Sequence, residues 1–153
     1  MPLKRTPHWA TRELHTFLLE RAHKPFAWGT NDCCVFAADA IQSFTGVDLA
    51  ADFRGKYNDE ASAFQAIRTI AGGRTIADAA VYCAKKHELV ELAAPLFAQR
   101  GDLVLVEDLE SAQHRAGRLV AGVVHLNGRH AAVVGEHGLK RISIRNVRRA
   151  WRV

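Results

Sequence analysis

The hydrophobic period of the chain changes at Pro95. Before it, apolar residues recur three and four apart; after it, they come in short β-branched runs with a two-residue period. Helices first and strands second do not make an alternating β-α-β sheet. The fold class expected is α+β, with N-terminal helices packed on a small antiparallel β-sheet.

The helical half reads in four segments. Residues 7–23 carry Leu14, Phe17, Leu18 and Ala22 at helical spacing, with Pro7 in the first turn and Pro25 as the stop. A second helix is expected from about Cys33 to Thr45, capped by Asn31 or Asp32 and ended by Gly46. Its stripe is Cys33, Phe36, Ala37, Ala40, Ile41 and Phe44. A third runs from a cap at Asn58 or Asp59 to Ala71, and a fourth from about Ile76 to His87. Strands are expected over 102–107, 119–126, 129–135 and 139–145. Asn127-Gly128, between apolar runs, marks a hairpin. Residues 107–118 read as a polar loop. The basic C-terminus, interrupted by Ile142, Ile144 and Val147, reads as an edge strand and its tail.

Length places all 153 residues in one domain, 1–153. The longest apolar runs, LVLV and AAVV, are strand-sized and far below the ~20 residues of a membrane span. Basic residues near the N-terminus are not followed by an apolar stretch, so the expectation is a chain made in the cytoplasm without a signal peptide. The net charge of +5 invites a nucleic-acid reading, but the familiar nucleic-acid-binding motifs are missing. A solvated face or an acidic partner fits better. Three cysteines without metal-ligand spacing imply no metal and no cofactor, and vicinal Cys33 and Cys34 are badly placed to bridge each other.

The adjacent cysteines pose the functional question. A thiol in the first turn of a helix meets unpaired N–H groups and the positive end of the dipole, which favour the thiolate. Cys33 lies on the stripe expected to face the sheet, so a base for it would have to come from a strand. Cys34 points about 100° away and reads as packing. Cys33 is therefore either a nucleophile or a small buried hydrophobe.

Several segments together resemble a known family. Trp28-Gly29, Asp32-Cys33 opening a helix, Arg100-Gly101-Asp102-Leu103-Val104-Leu105, and the run Val120 to Gly128 resemble, in order and spacing, the motifs of NlpC-type papain-like cysteine peptidases. In that family an Asp-Cys pair opens the central helix and a His on the second barrel strand is the general base. More narrowly, Asp-Cys-Cys, Thr-Gly-Val-Asp at 45–48, Phe-Arg-Gly-Lys-Tyr at 53–57 and the terminal Arg-Ala-Trp-Arg-Val resemble a small phage- and prophage-encoded branch. Its genes sit among tail-tip genes of long-tailed phages. The resemblance implies a papain-like half-barrel, Cys33 as the nucleophile position, and a place in the virion.

One departure outweighs the matches. The family's catalytic His falls on Val120, which accepts no proton, and a further polar position falls near Ala132. General-base help is worth ~10²–10⁴ in rate. Substitutes are His125 and His130, opposed across the hairpin if Asn127-Gly128 is a two-residue turn. Yet His125 lies on the strand face opposite Val120 and five residues along, about 16 Å. Asp32 and Trp28 are candidate cleft residues, and Trp151 with the basic C-terminus is a candidate docking element. His114 and the other histidines read as surface residues.

Three functions follow. The first is a tail-tip or tail-assembly component on a catalytically degenerate papain-like scaffold, with other tail-tip proteins as partners. The second is an active cysteine peptidase cutting peptidoglycan stem peptides during phage entry, with Cys33 as nucleophile and His130 or His125 as base. The third, resting on charge alone, is a nucleic-acid binder.

Overall fold

The structure is a computed structural model and describes residues 3–110 and 119–153. The end of the expected polar loop, residues 111–118 with His114, lies outside the described residues. Among the described residues, four α-helices precede a six-stranded antiparallel sheet, which makes the chain an α+β domain.

The first helix, α1 (Leu14–Arg21), follows a π-helical turn, Trp9–Glu13. Helix α2 (Cys33–Thr45) has the bounds expected from sequence. The side chain of Asp32 accepts from Val35 N–H at its start, and Gly46 ends it at φ +74°. Helix α3 (Glu60–Ala66) runs on into a π-helical turn, Ile67–Ala71, and α4 spans Ile76–Lys86. Reciprocal capping boxes start both: Asp59 with Ser62, and Thr75 with Asp78.

The strands are β1 (Val90–Glu91), β2 (Leu103–Glu107), β3 (Leu119–Val124), β4 (His130–Gly135), β5 (Gly138–Ser143) and β6 (Val147–Arg152), in the order β1-β6-β2-β3-β4-β5. Two of these depart from the sequence expectation. The segment expected as an edge strand's tail is itself β6, paired with β2 through Leu103↔Trp151 and Val104↔Ala150. Its arginines hid it, because they hold its exposed side chains in ion pairs rather than marking a loop. The short β1 then pairs with β6 through Glu91↔Trp151. The edge strand on the other side is β5.

Helix α2 is buried on nearly every side: Cys33, Phe36, Ala40, Ile41 and Phe44 are at most 1% exposed. Register assigns the two faces of the sheet. Leu103 and Ala121 share a face and line a pocket with α2 and α4. Val104, Val106, Val120 and Val124 lie on the other face and are equally buried. Central strands covered on both sides explain why LVLV and AAVV read as continuous apolar runs rather than alternating ones.

A buried carboxylate fastens the ends of the chain to this core. Asp102, 0% exposed, accepts from Arg5 Nη2 (3.0 Å), Val153 N–H (3.1 Å) and Gln99 N–H (2.9 Å), and pairs with Arg152 Nε (3.0 Å). Asp102→Ala strands two guanidinium groups beside an empty site. We expect it to lower unfolding free energy by about 3–5 kcal/mol, read by urea denaturation. A loss under about 1 kcal/mol would show that the ends are held by something else.

Candidate functional site

The N-terminus of α2 is built by the loop before it. Asp32, 2% exposed, divides its oxygens: Oδ1 accepts from Val35 N–H (2.9 Å), while Oδ2 accepts from Gly29 N–H (2.8 Å) and Tyr57 O–H (2.6 Å). Gly29 is required there. Its φ is +84°, and a Cβ would lie 2.5 Å from the Tyr57 carbonyl oxygen. Asn31, fully buried, donates to the carbonyls of Lys24 (3.0 Å) and Pro25 (2.9 Å) and accepts from Arg21 (3.0 Å). Arg21 also pairs with Asp39 on α2 (2.5 Å), and Arg54 clamps Asp39 and Asp48 together.

This start differs from an activated thiol. Cys33 is 1% exposed and lies in the core cluster. The thiol that lines the pocket is Cys34, beside Trp28, Tyr57, Cys83, Leu103 and Ala121, around a cavity of about 50 Å³. Sequence periodicity assigned Cys34 to packing, but α2 is enclosed on several sides, so being off the main stripe does not take a residue out of the site. Its contact with Cys33, burial, and the Asp32 carboxylate push the Cys34 thiol well above its ordinary range. Burial first, then the charges of Asp52 and Asp48, push Cys83 up to about 12. Burial and Asp32 likewise hold the Tyr57 hydroxyl protonated. Asp32 spends on its own carboxylate two of the N–H groups that could have met a thiolate or an oxyanion.

The histidines stand at the other end of α2. A Cβ at Gly101 would lie 3.2 Å from the ring of Phe44, near the C-terminus of that helix. Gly101 N–H bonds Val124 O (2.9 Å), and His125 is the next residue. Cys33 and Phe44 are eleven residues apart, about 16 Å along the axis. From the sheet, Leu103 and Ala121 line the pocket with Cys34, and neither His125 nor His130 is among its lining residues. The structure brings Asp32, Trp28 and Cys34 together but does not bring His125 or His130 to them.

The imidazoles are also tied down. His125 and His130 do face each other across the hairpin, with His125 N–H bonded to His130 O (2.8 Å). Asn127 N–H donates to His125 Nδ1 (3.0 Å). The Asn127 Oδ1 takes Arg129 N–H (2.8 Å) and His130 N–H (3.2 Å), which fixes its Nδ2 as the group facing His130 Nδ1 (3.0 Å). Both Nδ1 atoms therefore accept, and both neutral rings carry their proton on Nε2. Each Nδ1 lone pair is thus engaged by Asn127 rather than directed at a thiol, and among the described residues no group of three or more His, Cys, Asp and Glu could hold a metal ion.

On the pocket face the sheet offers only the carbon side chains of Leu103 and Ala121, and the position of the resembled family's base lies on the other face. Val120 is 3% exposed, and the register Val123↔Ala132 puts Ala132 on the opposite face from Val120. Trp28 packs edge-on to Phe26 (5.0 Å) and Phe64 (6.5 Å) and forms part of the pocket wall. Trp151, 3% exposed on β6, is packed into the fold beneath the Arg149 guanidinium (5.2 Å) and is not presented to a partner. Sequence reasoning missed Tyr57 and Cys34. Tyr57 follows a positive-φ glycine, Gly55, in a loop whose return to Asp32 no periodicity reports.

Together these features define an α+β domain with a small, apolar, thiol-lined pocket at the start of a buried helix. Residues 4–153 match the family model described as Domain of unknown function (DUF6950), and the chain belongs to that family. No curated protein and no solved structure matches it significantly. No helix among the described residues is long and apolar enough to cross a membrane.

Two measurements check this site. Asp32→Ala removes the cap and leaves Gly29 N–H and Tyr57 O–H without their acceptor. The expected loss is about 2–4 kcal/mol in chemical denaturation, against about 1 kcal/mol if Asp32 were only a helix cap. The second concerns His125, whose pKa burial, then Arg141 and His130, lower below the usual ~6.5. The unfolded chain then binds the proton more readily. The stabilising difference is fully present above ~6.5 and is lost as pH falls through the folded value. Thermal melts should show Tm falling on that acid limb, with a shallower slope in His125→Gln.

Proposed function

We propose that the chain is a catalytically degenerate papain-like domain of the NlpC type that serves as an assembly component of a phage tail tip. The observation that carries the degenerate reading is that the residues lining the thiol pocket include no histidine. Where the resembled family keeps its base, this chain has Val120, and neither replacement histidine lines the pocket; both of their Nδ1 atoms already accept hydrogen bonds. A peptidase needs a thiolate and a proton acceptor within hydrogen-bond reach of each other. Here Cys33 is shut into the core and Cys34 is held protonated.

Other features agree with the scaffold itself. An Asp-Cys pair opens a buried central helix, Gly-Asp-Leu-Val leads into the first long strand, and Asn-Gly turns the next hairpin. The tail-tip role rests on the sequence features of the phage branch and on the protein partners such a role requires. The virion is then the place of action, after synthesis in the host cytoplasm.

Complementation separates the readings. With the gene deleted from the phage or prophage that carries it, we expect loss of infectious tails, restored equally by wild type, Cys33→Ala and Cys34→Ala. Deletion without effect on tails overturns the assembly role. Failure of folded Cys33→Ala to complement, together with release of stem-peptide fragments from peptidoglycan by wild type, would favour the cysteine peptidase instead.

A further inference from the structure

The basic residues divide into those already neutralised and those that are not. On β6, Arg148 pairs with Glu107 (2.8 Å), Arg149 with Glu91 (2.6 Å) and Arg152 with Asp102 (3.0 Å); on β5, Lys140 pairs with Asp108 (2.8 Å). Arg100, Arg129, Arg141 and Arg145 are exposed, and among the described residues none of their guanidiniums makes an ion pair or a hydrogen bond. Arg100 only stacks over Trp9, at 5.9 Å.

These four converge on one corner, the closed end of the β3–β4 hairpin. Arg129 O accepts from Ile144 N–H (2.9 Å), which sets Arg145 beside the turn. A Cβ at Gly128 would lie 4.0 Å from Arg100 Cγ. Arg141 pairs with Ala132 and Ser143 with His130, so Arg141 projects on the same face as His130 and, across the hairpin, His125. The turn and strand end, residues 125–130 and 141–146, contain no carboxylate. Because Asn127 occupies both Nδ1 atoms, the two imidazoles present only Nε2–H donors outward. Six side chains thus offer donors and positive charge, and no acceptor.

We propose that this corner is a docking surface for an acidic segment of a partner protein. Guanidinium groups match carboxylates in a two-point fork that a lysine cannot make. Four and three residues before Arg100, Leu96 and Phe97 are 67% and 63% exposed, and Arg152 Nη2 holds their turn through Phe97 O (3.2 Å). An apolar anchor beside unpaired arginines is the composition of a protein interface core. The segment recognised carries clustered Asp or Glu with a neighbouring apolar side chain. The surface is defined without reference to the tail-tip reading, and its test uses the purified full chain, so either can fail alone.

The test is fluorescence anisotropy with labelled octaglutamate, octaglutamine, and an oligothymidylate of equal charge. Octaglutamate should bind saturably, more weakly as salt is raised, and octaglutamine should not bind. Arg129→Ala, Arg141→Ala and Arg145→Ala should each weaken binding about two- to five-fold. Arg148→Ala, whose side chain is already paired, should change it little, which separates a local site from the field of the net charge. Far-ultraviolet circular dichroism confirms that each variant is folded. No binding, an equal effect of Arg148→Ala, or preference for the oligothymidylate overturns the proposal, the last in favour of a nucleic-acid surface.

Discussion

Asp102 is the fixed point of the molecule. A fully buried carboxylate is costly unless its charge and lone pairs are met, and here two arginines and two backbone N–H groups meet them. Those donors come from the N-terminal arm, the turn before β2 and the last two residues of the chain. One side chain thereby ties the end of β6 to the start of β2, reinforcing the ladder that pairs the two strands. The Arg5 guanidinium completes the arrangement by stacking on Trp9 (4.2 Å) and Phe44 (5.4 Å), which joins the arm to the far end of α2.

With α2 fixed at that end, its N-terminus becomes the site. Asp32 acts there as Asp102 does at the other end: a buried carboxylate gathering donors from separate segments, in this case Gly29, Val35 and Tyr57. The electrostatic consequence is opposite to that of a catalytic thiol site. A carboxylate held beside two adjacent cysteines in an apolar setting raises the cost of a second negative charge, and Cys34 stays protonated. The pocket next to it is small and lined almost wholly by carbon and sulfur.

The distribution of charge separates structure from surface. Arginines that read in sequence as one basic C-terminal cluster serve two ends: those on β6 satisfy Glu91, Glu107 and Asp102 and belong to the fold, while Arg141 and Arg145 remain exposed and unpaired beside the hairpin turn. Net charge alone could not make that division, because it counts a buried ion pair and a free guanidinium alike.

The sequence by itself determined the elements that depend on local physics. Helix α2 has its expected ends because a capping aspartate and a left-handed glycine are properties of three or four neighbouring residues. The break at Pro95 and the Asn127-Gly128 turn are equally local. The four long strands before the C-terminus emerged within a few residues of their expected bounds, because a run of β-branched residues needs no partner to be recognised. What only the tertiary structure decided were relations between distant residues. These are Arg5 and Arg152 meeting at Asp102, Tyr57 returning to Asp32, Cys34 rather than Cys33 facing the pocket, and the histidines lying outside the pocket lining. Periodicity says which side of an element is apolar. It does not say which neighbour covers that side, or at which end of a helix a strand's histidine will stand, since both follow from packing that many weak contacts settle together.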